Sequence, residues 1–274
     1  MDGWLRRIFG GTSGQRDRRI EPDIRAPSLA PAAPLAEKVP TPTLPPAVAT
    51  PSVPKLEPSV WFSQLSGNVL FFDVETTGLH SADRIVSLGM LLLKPSECHG
   101  SELAFSALHL VFDPGRKSHP RAEEVHGYDD WALRHQASFR ESADMVRALV
   151  EQSSLLVAHN FAFDIAFLDR EFAAVGLQLP SPPAYCTMQA WRQEMSGSAG
   201  LGAITERLGV SRAGSKHCAM EDAWFAFLVW ANLNHAFPPK AFPFDHLRRP
   251  TNFCDPPPRP DGPLPRRRRL KAEG

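Results

Sequence analysis

An α/β domain built on a mixed sheet is the fold the sequence predicts, on three observations. Three apolar, strand-like runs come first, near residues 69–72, 84–94 and 107–112, joined by connections short enough for antiparallel neighbours. Two stretches with helical spacing follow, about 131–136 and 139–152. They lead into a fourth apolar run, Leu155–Ala158, which can lie parallel to the first because helices separate the two.

Within the first run, Val69 to Phe72 is continuously apolar and stops at Asp73-Val74-Glu75, before Thr76-Thr77-Gly78 breaks the pattern. In a strand, side chains alternate, so Asp73 and Glu75 share one side. Burying two like charges together calls for a cation between them. Taken alone, the pair fits equally well a strand end whose acids reach solvent. The second run ends at Lys94, and the third stops at Asp113-Pro114-Gly115, a turn signal. After the fourth run comes His159-Asn160-Phe161-Ala162-Phe163-Asp164, which opens a helical pattern over 164–175. Its acid thus falls at a strand-to-helix junction, a usual place for ligands in an α/β fold. A later block, His217-Cys218-Ala219-Met220-Glu221-Asp222, leads into an apolar helix expected over 224–233.

The chain has 274 residues and no net formal charge, but the charge is unevenly placed. Residues 1–58 carry 8 basic and 6 acidic side chains, 59–235 carry 13 and 20, and 236–274 carry 9 and 4. Prolines divide as 11, 6 and 10 over the same three parts. Stretches such as 26–54 and 255–265 offer too little apolar surface to offset ordering, so both are expected to be extended or disordered. The expected organisation is a Pro-rich tail over 1–58, one globular domain over 59–235 and a Pro/Arg-rich tail over 236–274. The first ten residues could form a short helix with Trp4, Leu5, Ile8 and Phe9 on one side, although ten residues rarely hold a helix alone. The arginines near the start are not followed by the apolar stretch of a signal peptide, and no run is long enough to span a membrane. Cys98, Cys186, Cys218 and Cys254 have neither metal-site nor disulfide spacing, so a reducing, cytoplasmic setting is expected.

The blocks Asp73-Val74-Glu75, His159 to Asp164 and His217 to Asp222 resemble, in order and spacing, the three motifs of the DEDDh (DnaQ-like) 3'-to-5' exonucleases. The resemblance covers about residues 66–235. It implies a ribonuclease H-like fold, a five-stranded mixed sheet flanked by helices, with a short fifth strand near Ala184–Cys186. It further implies that Asp73, Glu75, Asp164 and Asp222 hold two divalent cations, Mg²⁺ or Mn²⁺, and that His217 is the general base. Hard oxygen ligands without cysteine agree with that choice of ion. The related group with a tyrosine four residues before the last acid is not matched, since Cys218 stands there. Glu221, at helical spacing from His217, competes with Asp222 on spacing alone, and the family register selects Asp222.

By the same resemblance Thr76, Thr77, Gly78 and Leu79 would hold the terminal nucleotide, with backbone donors and with Leu79 wedged against its base. His126, in Val125-His126-Gly127, would lie in a loop closing over it, Asn160 would bond it, and Phe163 would stack on a base if core packing does not claim it. The expected substrate is the 3' end of single-stranded or frayed DNA, cut to nucleoside 5'-monophosphates in proofreading or repair, with a DNA polymerase subunit as partner. RNA 3'-end trimming is the alternative within the enzyme class, and a non-catalytic polymerase-associated docking module is the alternative outside it. One departure is Cys186-Thr187 where many members carry Asp-Thr, a position outside the metal ligands. The arginines at 266–269 could attract phosphates without reading sequence.

Overall fold

The structure, a computed structural model, describes residues 62, 64–99 and 102–267. Its centre is a five-stranded sheet in the order β3-β2-β1-β4-β5. The strands are β1 Val69–Thr76, β2 Ile85–Leu93, β3 Phe105–Val111, β4 Leu155–Ala158 and β5 Ala184–Cys186. β1 pairs antiparallel with β2 and parallel with β4, so the mixed ribonuclease H-like sheet is present with the expected neighbours. The α-helices are α1 Pro120–His126, α2 Asp130–Leu133, α3 Ala143–Glu151, α4 Phe161–Ala174, α5 Thr187–Glu194, α6 Leu201–Arg207 and α7 Ala219–Leu233. Among the described residues, no helix is long and apolar enough to cross a membrane.

Alternation along β1 divides the core in two. Leu70, Phe72 and Val74 pack with Val146 of α3 and with Phe167, Leu168 and Phe172 of α4. Val69 and Phe71 face the other way, onto Phe227 and Trp230 of α7. Phe71 and Phe105 each meet the Phe227 ring edge-on, at 5.2 and 5.3 Å between centroids. Such pairs contribute about 0.5–1.5 kcal/mol each beyond the area they bury. α7 is buried on nearly every side, which explains why its sequence reads as a continuous apolar run.

Two elements extend past the sequence expectation. β1 continues through both acids to Thr76 because β2 keeps supplying partners: Asp73 pairs with Gly89, Val74 with Leu88 and Glu75 with Ser87. α7 begins at Ala219, so Asp222 lies inside its first turn. The short helices α1, α5 and α6 carry too few turns to show a period in sequence.

Residues beyond 235 have largely irregular backbone and are fastened to the domain as far as Arg267. The His109 ring meets the carbonyl of Leu247 through Nδ1 at 2.6 Å. Asn252 bonds both the N–H and the C=O of Val111, at 2.9 and 2.7 Å. Cys254 and Gln136 exchange two bonds of 2.9 Å. This strap satisfies the outer edge of β3 with side-chain amides and turns, which composition alone does not reveal. Of the four consecutive arginines, Arg267 pairs with Asp113 and Asp130; residues 268 and 269 lie outside the described residues, as does the expected helix over the first ten.

Candidate active site

Four carboxylates from three elements converge where β1 meets the starts of α4 and α7. Asp73 and Glu75 face the α7 side. Asp164 enters from the first turn of α4, and its Oδ1 accepts the backbone N–H of Val74 at 3.1 Å, tying that helix to the strand between the two acids. Asp222 reaches in from the first turn of α7. The approach is possible because Gly89 lies beside Asp73. A Cβ there would come within 2.4 Å of the backbone of Ala219 and Met220.

His217 is placed by the loop before α7, which is docked onto α1. Its N–H donates to the carbonyl of Val125 at 2.9 Å, and Lys216 Nζ donates to that of Glu124 at 2.6 Å. His217 Nδ1 lies 3.3 Å from Asp222 Oδ2. Ligand atoms of Glu75, His217 and Asp222 all fall within 4.8 Å of one another. Glu221, the other acid in spacing, points elsewhere: its Oε1 accepts from Arg248 at 2.7 Å and from the backbone of Ala213 at 3.2 Å.

The cluster is electrostatically expensive without a cation. Burial, followed by the neighbouring acids, pushes the carboxyls of Asp73 and Glu75 well above their ordinary range. Burial pushes Asp164 up to about 8, against the bonds from the Val74 and Asp164 backbone that lower it. Asp222 differs. Burial raises it, but the hydrogen bond to His217 and the charge of Arg212 outweigh that and hold it below the usual carboxylate value. Three buried acids that resist ionisation, beside an ionised one and an imidazole, form a donor set that fits hard divalent cations.

Arg212 is a residue the sequence reading missed. It stands in a polar loop five positions before His217 with no motif around it, and its guanidinium is ion-paired with Asp222.

The turn after β1, expected to hold the terminal nucleotide, is built around a buried threonine. Thr77 is fully buried, donates its N–H to the carbonyl of Arg84 at 2.9 Å and gives its hydroxyl to Asp83 Oδ1 at 2.9 Å. Thr77 therefore anchors the turn, and its backbone donor is not available to a ligand. Thr76 Oγ1 closes the turn onto the carbonyl of Gly78 at 2.7 Å. Asp83, also missed, lies beneath Gly78, where a Cβ would meet its Oδ2 at 2.5 Å. Leu79 is half-buried beside this turn.

His126 ends α1 and is buried, 5% exposed, rather than lying on the surface. Its Nδ1 accepts from the Tyr128 backbone at 3.0 Å, and its Nε2 finds no protein partner among the described residues. Burial and the nearby Lys216 charge push it down to about 4, leaving a neutral ring with its proton on Nε2. Asn160 caps α4. Phe163 packs on Phe167 at 4.8 Å between centroids and Phe161 on Phe72 at 5.8 Å, so both rings join the core margin. At the Cys186-Thr187 departure, Cys186 Sγ donates to the carbonyl of His159 at 3.3 Å, and Thr187 Oγ1 lies 2.9 Å from Nδ1 of the same buried histidine.

Known proteins resemble this chain in sequence and in fold. The profile of the exonuclease family matches residues 70–228. DNA polymerase III subunit epsilon of Pasteurella multocida is 30% identical over 166 residues, covering 56% of this chain and 63% of that protein. The Escherichia coli subunit epsilon is 29% identical over 123 residues, covering 43% and 48%. The chain thus spans less than two thirds of the length of these relatives. The zinc-bound complex of E. coli exonuclease I with single-stranded DNA aligns with a TM-score of 0.51 at 19% identity, over 61% of this chain and 40% of that one, a likeness of fold. With the profile matching more than half of its length, the chain belongs to the DnaQ-like exonuclease family.

Proposed function

We propose that this protein is a DEDDh-type, divalent-cation-dependent exonuclease that removes nucleoside 5'-monophosphates from the 3' end of single-stranded or frayed DNA, in replication proofreading or repair, in the cytoplasm. The observation that carries the reading is the 3.3 Å approach of His217 Nδ1 to Asp222 Oδ2 at the edge of a buried four-acid cluster. With Nδ1–H donating to Asp222, the lone pair of the neutral imidazole is on Nε2, the nitrogen that would take the proton of an attacking water. Asp222, held ionised, orients the ring and stabilises its charged form.

Asp73, Glu75, Asp164 and Asp222 would hold two Mg²⁺ or Mn²⁺ ions, which would activate water and steady the leaving oxygen. The half-buried Leu79 and the backbone of Gly78 would receive the terminal nucleotide, with Thr76 and Thr77 shaping their turn. The protonated Nε2 of His126 would donate to an acceptor on the nucleotide, and Asn160 at the start of α4 would bond it. Phe163, committed to packing on Phe167, would at most offer an edge. A polymerase subunit as partner is supported by the relatives, which are themselves named as polymerase subunits.

The test is hydrolysis of 3'-labelled single-stranded DNA and RNA of matched sequence with Mg²⁺, Mn²⁺ or EDTA, comparing the protein with Asp73→Ala. Stepwise DNA shortening that needs the cation and is lost in the variant is the expected result. Faster RNA shortening would move the assignment to RNA trimming. A folded protein that shortens neither would move it to a docking module.

A further inference from the structure

In this structure both carboxylate oxygens of Asp222 are taken. Oδ1 is held by the guanidinium of Arg212 and Oδ2 faces His217 Nδ1 at 3.3 Å. A cation that uses Asp222 has to share this carboxylate with the guanidinium of Arg212 and with His217. Arg212 is no loosely placed surface residue, its side chain being 17% exposed. Its guanidinium carbon sits 5.4 Å from the centre of the Phe225 ring, one turn along α7. The backbone of the next residue, Ala213, is pinned by Glu221, and Glu221 is in turn gripped by Arg248 from the C-terminal strap. Three separate contacts thus aim one permanent positive charge into the acid cluster.

We propose that Arg212 is a resident counter-cation of the active site, whose charge competes with a divalent ion for Asp222. The inference rests on the reading of Asp222 as a metal ligand. The physical reason is that Asp222, held ionised among buried acids, needs a counter-charge, and guanidinium is the cation best suited to a dry site because it stays charged there and is weakly hydrated. Burial opposes its charge, but Asp222, Asp73 and Glu75 outweigh that and hold Arg212 protonated. The consequence is a threshold. The site fills only when the divalent ion outcompetes a tethered monovalent one, so Arg212 lowers metal affinity while supporting the fold without metal.

The experiment measures Mn²⁺ binding to the full chain through the electron paramagnetic resonance signal of the free ion. The forms compared are wild type, Arg212→Gln, Arg212→Lys and, as a charge-loss control, Arg207→Gln. Arg207 lies outside the acid cluster, over Trp191. Thermal unfolding in EDTA and in Mn²⁺ is recorded beside it. Arg212→Gln is expected to bind Mn²⁺ about tenfold more tightly, because one like charge near the ion is gone. It is also expected to melt lower in EDTA and to recover in Mn²⁺. Arg212→Lys, which keeps the charge and guards against failure of the neutral variant to fold, and Arg207→Gln are expected to bind as wild type does. Equal or weaker binding by Arg212→Gln, or binding by Arg212→Lys tighter than wild type, would overturn the role of Arg212 alone. Absence of Mn²⁺ binding by every form would overturn it together with the metal-site reading.

Discussion

Asp83 accepts the hydroxyl proton of Thr77 at 2.9 Å through one oxygen and the backbone N–H of His80 at 2.8 Å through the other, so one buried carboxylate holds both sides of the turn that follows β1. Replacing it with alanine leaves the Thr77 hydroxyl without its acceptor inside the protein. Asp83→Ala is expected to lower stability by about 1–3 kcal/mol. Because the turn would also loosen, KM for an oligonucleotide should rise more than kcat falls. Melting curves and steady-state kinetics check both, and a change confined to kcat would contradict this role.

Gly89→Ala probes the contact between β2 and α7. The added methyl would meet the backbone of Ala219 and Met220 at 2.4 Å, and neither strand nor helix can yield independently. Overpacking of this kind costs typically 1–3 kcal/mol. Since the displaced turn carries Asp222, activity in the folded fraction is expected to fall by at least about tenfold, a modest barrier change of roughly 1.4 kcal/mol. Wild-type melting and activity would show that the start of α7 is more adaptable than its packing implies.

The two neighbouring acids of α7 separate function from scaffold. Asp222→Asn removes the carboxylate facing His217 and is expected to abolish cleavage while the fold survives. Glu221→Gln instead weakens the grip of Arg248, whose side chain is 31% exposed, so the pair is screened and the loss should be about 1 kcal/mol. Cleavage assays beside chemical unfolding distinguish the two, and equal loss of activity in both variants would contradict the division.

The pH dependence of the metal-free protein has a definite sign. Asp164 keeps its proton up to about 8 when folded, against an ordinary value of 3.8, so over that window the folded state binds more protons than the unfolded chain. Stability is therefore fully present at the acid side and is lost as pH rises toward about 8, with Asp73 and Glu75 acting in the same direction. Asp222 has the opposite sign, its contribution being lost as pH falls below 3.8, outside this window. Below 6.5 the buried His109, His126 and His159, each pushed down to about 4, act in the opposite sense. In EDTA the melting temperature is therefore expected to drop between about pH 6.5 and pH 8, and Asp164→Asn should flatten that slope. A wild-type melting temperature that rises across this range would contradict the assignment.

Much of the candidate site was legible because its chemistry is written in local patterns. Asp73 and Glu75 share a side through the period of a strand, Asp164 follows a strand at the start of a helix, and His217 and Asp222 belong to one short block. Arg212 and Asp83 carry no such pattern. An arginine in a polar loop and an aspartate in a turn look like solvated residues until neighbours from α7 and β1 close over them.

The sequence by itself determined the order of the strands and longer helices from side-chain period, and through the family resemblance the number of sheet strands and the candidate four acids and histidine. Only the tertiary structure pointed Glu221 at Arg248, turned Thr77 inward, fastened residues beyond 235 along the edge of β3, and set Arg212 against Asp222. Those outcomes depend on partners distant in the chain, whose approach is governed by packing rather than by any local period.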